Sequence, residues 1–133
     1  MKRWFGLLGI GFAGLTLLSC SSGQQLETIT ITPSAETFLS PDPTLTVQLR
    51  ALGTYTHPPA TKDLTSQVTW ASNTPLVAVV NSTGLLGPAG TGCGGAIVSA
   101  TFKTNDPTGN TIVGTMTATV DNANDPICPQ PQP

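Results

Sequence analysis

The chain has 133 residues, of which only 9% are charged and 5% aromatic while 38% are hydrophobic, a balance that excludes a disordered chain and leaves no room for more than one ordinary domain after a leader. Two of its five basic residues, Lys2 and Arg3, stand at the very start, so Arg50, Lys62 and Lys103 remain against seven acids. That excludes a binder of phosphate backbones, because no basic patch can be built.

The first segment, residues 1–19, reads as a secretory leader. Met1-Lys2-Arg3 is a short positive segment, Trp4 to Leu18 is an uncharged apolar run, and Leu17-Leu18-Ser19-Cys20 closes it with a small residue before cysteine. The run falls short of the roughly 20 residues a membrane-crossing helix needs, and Ser21-Ser22-Gly23-Gln24-Gln25 brings no positive stop after it. The stretch ending at Cys20 resembles the lipobox of bacterial lipoproteins. The resemblance implies that the Cys20 thiol is acylated, that Cys20 becomes the new N-terminus, and that two or three acyl chains hold the protein on a membrane. Ser21 at the next position implies release toward an outer membrane where the cell has one.

Residues 20–25 then form a lipidated cysteine and a polar tether. From Leu26 the pattern turns to period two. Ile29 and Ile31 alternate with Thr28, Thr30 and Thr32, and Leu45, Val47, Leu49 and Ala51 alternate with Thr46, Gln48 and Arg50, so both segments read as half-buried strands. Between them Thr32-Pro33 and Ser40-Pro41-Asp42-Pro43 read as rigid turns. Val68, Trp70 and Ser72 make the next strand, Val77 to Val80 another, and Gly84 to Gly95 is a glycine-rich stretch. Ala96, Val98, Ala100 and Phe102 lead through Asn105-Asp106-Pro107-Thr108-Gly109-Asn110 to Ile112, Gly114, Met116, Ala118 and Val120, the clearest hairpin in the chain. No window supports a helix. The expected fold is all-β, a β-sandwich of about seven strands, with a proline-rich tail over residues 123–133.

From about Leu26 to Val120 the order of motifs resembles the bacterial Ig-like domains of group 2, the modules of invasin- and intimin-type surface proteins. The marks are Thr30-Ile31-Thr32-Pro33, Leu45 to Ala51, Gly53-Thr54-Tyr55, Asp63-Leu64-Thr65, Val68-Thr69-Trp70-Ala71-Ser72-Asn73, Val77-Ala78 with Val80, Gly84-Leu85-Leu86, Gly90 with Gly92, and Ala96 to Thr101. The resemblance implies an immunoglobulin-like sandwich over residues 26–122 with Trp70 between its sheets. Val68 and Val47 are assigned to the same core. His57-Pro58-Pro59, which enlarges a loop, and Cys93 depart from the family pattern.

With Cys20 taken by lipid, Cys93 and Cys128 are left as a pair in an oxidising compartment. A disulfide would pin the tail to the sandwich, and two free thiols or a metal pair are the alternatives. His57 is the lone histidine and sits beside two prolines, so no nucleophile-base assembly can be built around it and no enzyme is expected. Asp121, Asn122, Asn124 and Asp125 lack the spacing and bidentate glutamate of a calcium loop. Asn81-Ser82-Thr83 matches a glycosylation acceptor, but the lipobox resemblance implies a bacterium, where such a match seldom means modification. Gly90 to Gly95 precedes a strand and lacks the lysine of a phosphate loop. No catalytic residue, cofactor or metal is assigned. The functional expectation is a lipid-anchored adhesion or interaction module of the cell envelope, at the outer membrane or cell surface, whose Tyr55 to Thr61 loop touches a glycan, host or envelope protein. The alternative is a spacer or assembly part that docks through a strand edge.

Overall fold

The computed structural model describes residues 23–121 and Cys128. The leader, Cys20, Asn122 to Asp125 and the tail residues other than Cys128 lie outside the described residues. The described chain is all-β, without a helix, and is built from ten strands: β1 (Gln25–Thr32), β2 (Ala35–Phe38), β3 (Val47–Gln48), β4 (Arg50–Thr56), β5 (Ala60–Asp63), β6 (Thr69–Ser72), β7 (Ala78–Val80), β8 (Leu85–Pro88), β9 (Gly94–Lys103) and β10 (Thr111–Val120).

The strands form three sheets, ordered β1-β4-β5, β2-β10-β9-β6 and β3-β8-β7. The first and third are joined where β3 runs into β4, and together they face the four-stranded sheet. Ile29, Ile31, Leu49, Ala51 and Leu86 come from one side and Trp70, Val98, Ala100, Met116 and Ala118 from the other, all in a single buried cluster. The arrangement is therefore sandwich-like, with inward apolar and outward hydroxyl-bearing side chains alternating along β9 and β10.

The strand count exceeds the expected seven in part because the chain changes sheet at Pro33 and again at Leu49. At Pro33, which has no N–H to give to a ladder, the chain leaves β1 and reappears as β2, parallel to β10 with Phe38 beside Val120. The stretch taken for turns after Thr32 thus holds a strand. At Leu49 the chain leaves β3, which pairs with β8, and becomes β4, which pairs with β1 and β5. The expected strand over Leu45 to Ala51 is corrected accordingly. Leu45 belongs to a turn, its N–H donating to the Asp42 carbonyl, and is 40% exposed. The glycine-rich stretch likewise contains β8, with Leu86, Gly87 and Pro88 buried.

In β1 a bulge between Leu26 and Thr28 inserts one residue, which explains why Leu26 and Ile29, three apart, both point inward. The terminal hairpin forms as expected, and its register sets Phe102 opposite Ile112 and Val98 opposite Met116. Of the assigned core, Val68 and Trp70 are buried, while Val47 is half-buried and packs on the cluster from its edge.

Gly114 marks the closest approach of β1 to β10. A Cβ there would stand 2.5 Å from the Ile29 carbonyl oxygen and 2.8 Å from the Ile29 Cγ2 atom. Backbone cannot yield as a flexible side chain can, so Gly114→Val should reach or exceed the upper end of the about 1–3 kcal/mol cost of overpacking, read as a lowered urea midpoint.

Candidate functional site

Two regions could carry contacts. The first is the pole where the chain enters the domain. Gln25 pairs with Thr56 there, and Tyr55 pairs with Ala60 across a tight turn over residues 57–59 in which His57 takes a left-handed φ of 56°. The expected loop from Tyr55 to Thr61 is therefore a hairpin end. Tyr55 is half-buried, with the Lys62 ammonium 4.6 Å from its ring centroid. Lys62 also donates to the Gln24 side-chain oxygen, and the Gln24 amide donates to the Pro58 carbonyl at 3.0 Å. Leu26, Tyr55, Phe102 and Ile112 line a cleft of about 690 Å³ between this hairpin and the turn after β9.

That second turn is ordered by Asp106. Its carboxylate accepts from the Thr108 hydroxyl and N–H, the Gly109 N–H and the Thr104 hydroxyl. These donors, the Thr108 and Thr104 hydroxyls foremost, hold Asp106 below the usual carboxylate range. Its oxygens are engaged in building the turn and do not stand ready as a base. The same device recurs: the Thr44 N–H and hydroxyl lower Asp42, and the Thr65 hydroxyl and N–H lower Asp63. Asn81 is its neutral counterpart, its side-chain oxygen accepting from the Thr83 N–H and hydroxyl and the Leu85 N–H. The Asn81-Ser82-Thr83 match thus has a conformational role.

The three lowered aspartates set the sign of the acid response. Each contributes stability above its unfolded value near 3.8 and loses it as pH falls through the lower folded value. Thermal unfolding followed from neutral pH down through the carboxylate range should show the midpoint falling. The double variant Asp63→Asn with Asp106→Asn, which keeps an acceptor oxygen, should fall less steeply.

The second region is the outer face of the four-stranded sheet. Its residues come into line across the strands: Val113, Thr101 and Thr69 in one row, Thr115, Ser99 and Ala71 in the next, then Ala35, Thr117 and Ile97, then Thr37 with Thr119. Rows repeat about every 6.8 Å along the strands, and neighbours in a row lie about 4.8 Å apart. These rows hold no charged residue, and Ile97 and Val113 are each about half exposed. The result is a surface of hydroxyls and methyls. Sequence reading treated its threonines one strand at a time and missed the face that they form together.

At the opposite pole, Gly94 pairs with Val120, and Cys93 beside it is joined to Cys128 by a disulfide with a Cα–Cα distance of 5.3 Å. The free-thiol and metal-pair alternatives fall away. Asp121 donates its N–H to the Phe38 carbonyl. Among the described residues no group of three or more His, Cys, Asp or Glu gathers to hold a metal.

No protein-family model matches the chain. Over 102 residues it is 35% identical to ice-binding protein 1 of Shewanella frigidimarina (strain NCIMB 400), a match that takes in 70% of this chain. The chain spans 11% of that relative's length.

Proposed function

We propose that the chain is an envelope lipoprotein in which residues 1–19 are a cleaved leader, Cys20 carries the lipid, and a single Ig-like sandwich of the bacterial group 2 type works as a non-catalytic interaction module. The order of motifs and the sandwich-like packing support the family reading. The observation that carries the role is the placement of the two termini. The tether meets the fold at Gln24 on one pole, and the tail is tied to Cys93 at the other. Between them runs β10, ten residues or roughly 34 Å of extended chain. An anchor at one end leaves the outer sheet face free to meet a partner, and the uncharged hydroxyl rows of that face suit a polysaccharide, whose own hydroxyls repeat along a chain.

The test uses residues 21–133 against a panel of soluble and insoluble polysaccharides and a glycan array. Saturable binding is expected, and it should weaken at least tenfold in Thr115→Lys with Thr117→Lys while the circular-dichroism spectrum is unchanged. Capture of one envelope protein, with no glycan bound and with binding indifferent to these lysines, would instead establish the spacer or assembly role.

A second reading is favoured by the name of the relative. Ice is a repeating lattice of hydrogen-bonding water molecules, against which the same threonine rows would lie. The short share of the relative that is matched does not place its named activity in this segment. Ice-recrystallisation inhibition by residues 21–133, lost in the same double-lysine variant, would select this reading over the polysaccharide.

A further inference from the structure

We infer that the pole built from Gln24, the 57–59 turn and the 104–110 turn rests on the bilayer that holds the protein's own lipid, so that its cleft is turned toward the headgroups and away from outside partners. The inference rests on the reading of Cys20 as the lipidated residue.

Its first support is reach. Four residues of chain, fully extended, span at most about 14 Å, and Cys20 lies four positions before Gln24. Gln24 in turn is fastened to the fold by two side-chain hydrogen bonds, one to Pro58 and one from Lys62. The thioether of a lipidated Cys20 would sit at headgroup depth, so this pole cannot stand far from it. The opposite pole, where Leu76 is 72% exposed, lies beyond the length of β10.

The second support is charge. Lys62 and Lys103 belong to this pole, Lys103 with its Cε 3.8 Å from where a Gly109 Cβ would stand. They are two of the three cations that follow Cys20, and the carboxylates near them are Glu27 and Asp106, with Asp63 next to Lys62 on β5 turned to Arg50. Toward the other pole Arg50 stands 3.9 Å from Asp63, and Glu36, Asp42 and Asp121 add to the negative side. An anionic leaflet therefore repels the other pole, which is net negative, more than the tethered pole, where the two cations offset the carboxylates. The exposed tips His57, Pro58, Pro59 and Pro107 carry no negative charge to oppose contact.

The test places one label at each pole. The full lipoprotein, with Cys93–Cys128 left oxidised, is prepared as Pro107→Cys and separately as Leu76→Cys, labelled with bimane and reconstituted into phosphatidylcholine-phosphatidylglycerol vesicles containing a headgroup-nitroxide lipid. Quenching at position 107 should exceed that at position 76 at least fivefold, and the difference should shrink in Lys62→Gln with Lys103→Gln. Vesicle flotation with equal quenching at the two positions, or stronger quenching at 76, overturns the orientation alone. Failure to float overturns the lipid reading and the orientation with it.

Discussion

Trp70→Ala should unfold the domain more readily than any other single truncation in its core, lowering stability by about 3–5 kcal/mol. The indole lies 8% exposed in the centre of the cluster, fed in from β6 with Val68 just before it. Its Nε1–H donates to the Thr65 carbonyl at 3.0 Å, so its one polar atom is satisfied. Gly84, with a φ of 82°, comes so close to the ring that a Cβ would stand 3.0 Å from the Trp70 Cζ2 atom. Alanine would leave a void bounded on that side by backbone, which collapses poorly. Trp70→Phe separates the two contributions: it keeps most of the apolar volume but strands the Thr65 carbonyl, and should cost about 1–3 kcal/mol. Urea unfolding of residues 21–133, followed by circular dichroism because the fluorescent probe is removed, measures both. A loss under about 1 kcal/mol for the alanine variant would place the indole outside the core.

Cys93→Ser with Cys128→Ser should cost nearly as much. The bridge spans 35 positions, and closing such a loop stabilises by about 4 kcal/mol in the chain-entropy account. Cys128 is buried at 6% exposure beside Cys93 where β9 begins, so reduction also frees the surface that Cys128 itself covers. Reductant added to the unmodified protein should lower the urea midpoint to that of the double-serine variant. An unchanged midpoint in reductant would show that the bridge does not restrain the unfolded chain.

Some of this was legible in the sequence for physical reasons. β9 and β10 are ten residues each and meet through one turn, so inward Ala96, Val98 and Ala100 and inward Met116, Ala118 and Val120 could be paired from local alternation alone. Trp70 announced itself by size and by sharing a face with Val68. β2 did not, because Ala35-Glu36-Thr37-Phe38 buries only Phe38 fully and is held by β10, some eighty positions away in the chain. β8 was hidden by Gly87 and Pro88, which lower strand propensity yet sit buried where backbones approach. The break at Leu49 leaves no mark in a period-two pattern, since an inward residue stays inward when the chain changes partner.

The candidate surfaces were less visible than the fold. The Tyr55 to Thr61 segment reads as a loop because His57-Pro58-Pro59 interrupts the pattern; pairing of Tyr55 with Ala60 narrows it to an exposed turn over residues 57–59, and Gln24 holds Pro58 at the pole where the chain enters the domain. The threonine rows require four strands to be set side by side, including β2. The aspartate-to-threonine hydrogen bonds two positions on recur at Asp42, Asp63 and Asp106, and the same spacing at Asn81 gives the Asn81-Ser82-Thr83 match a conformational reason.

Intact mass of the protein extracted from membranes in detergent, taken without reductant, tests the lipid-anchored reading most directly. The account predicts a chain running from Cys20, heavier than its residues by a diacylglyceryl group with or without an N-acyl chain, and no thiol open to alkylation. A mature chain that starts elsewhere, or one that begins at an unmodified Cys20, would contradict it.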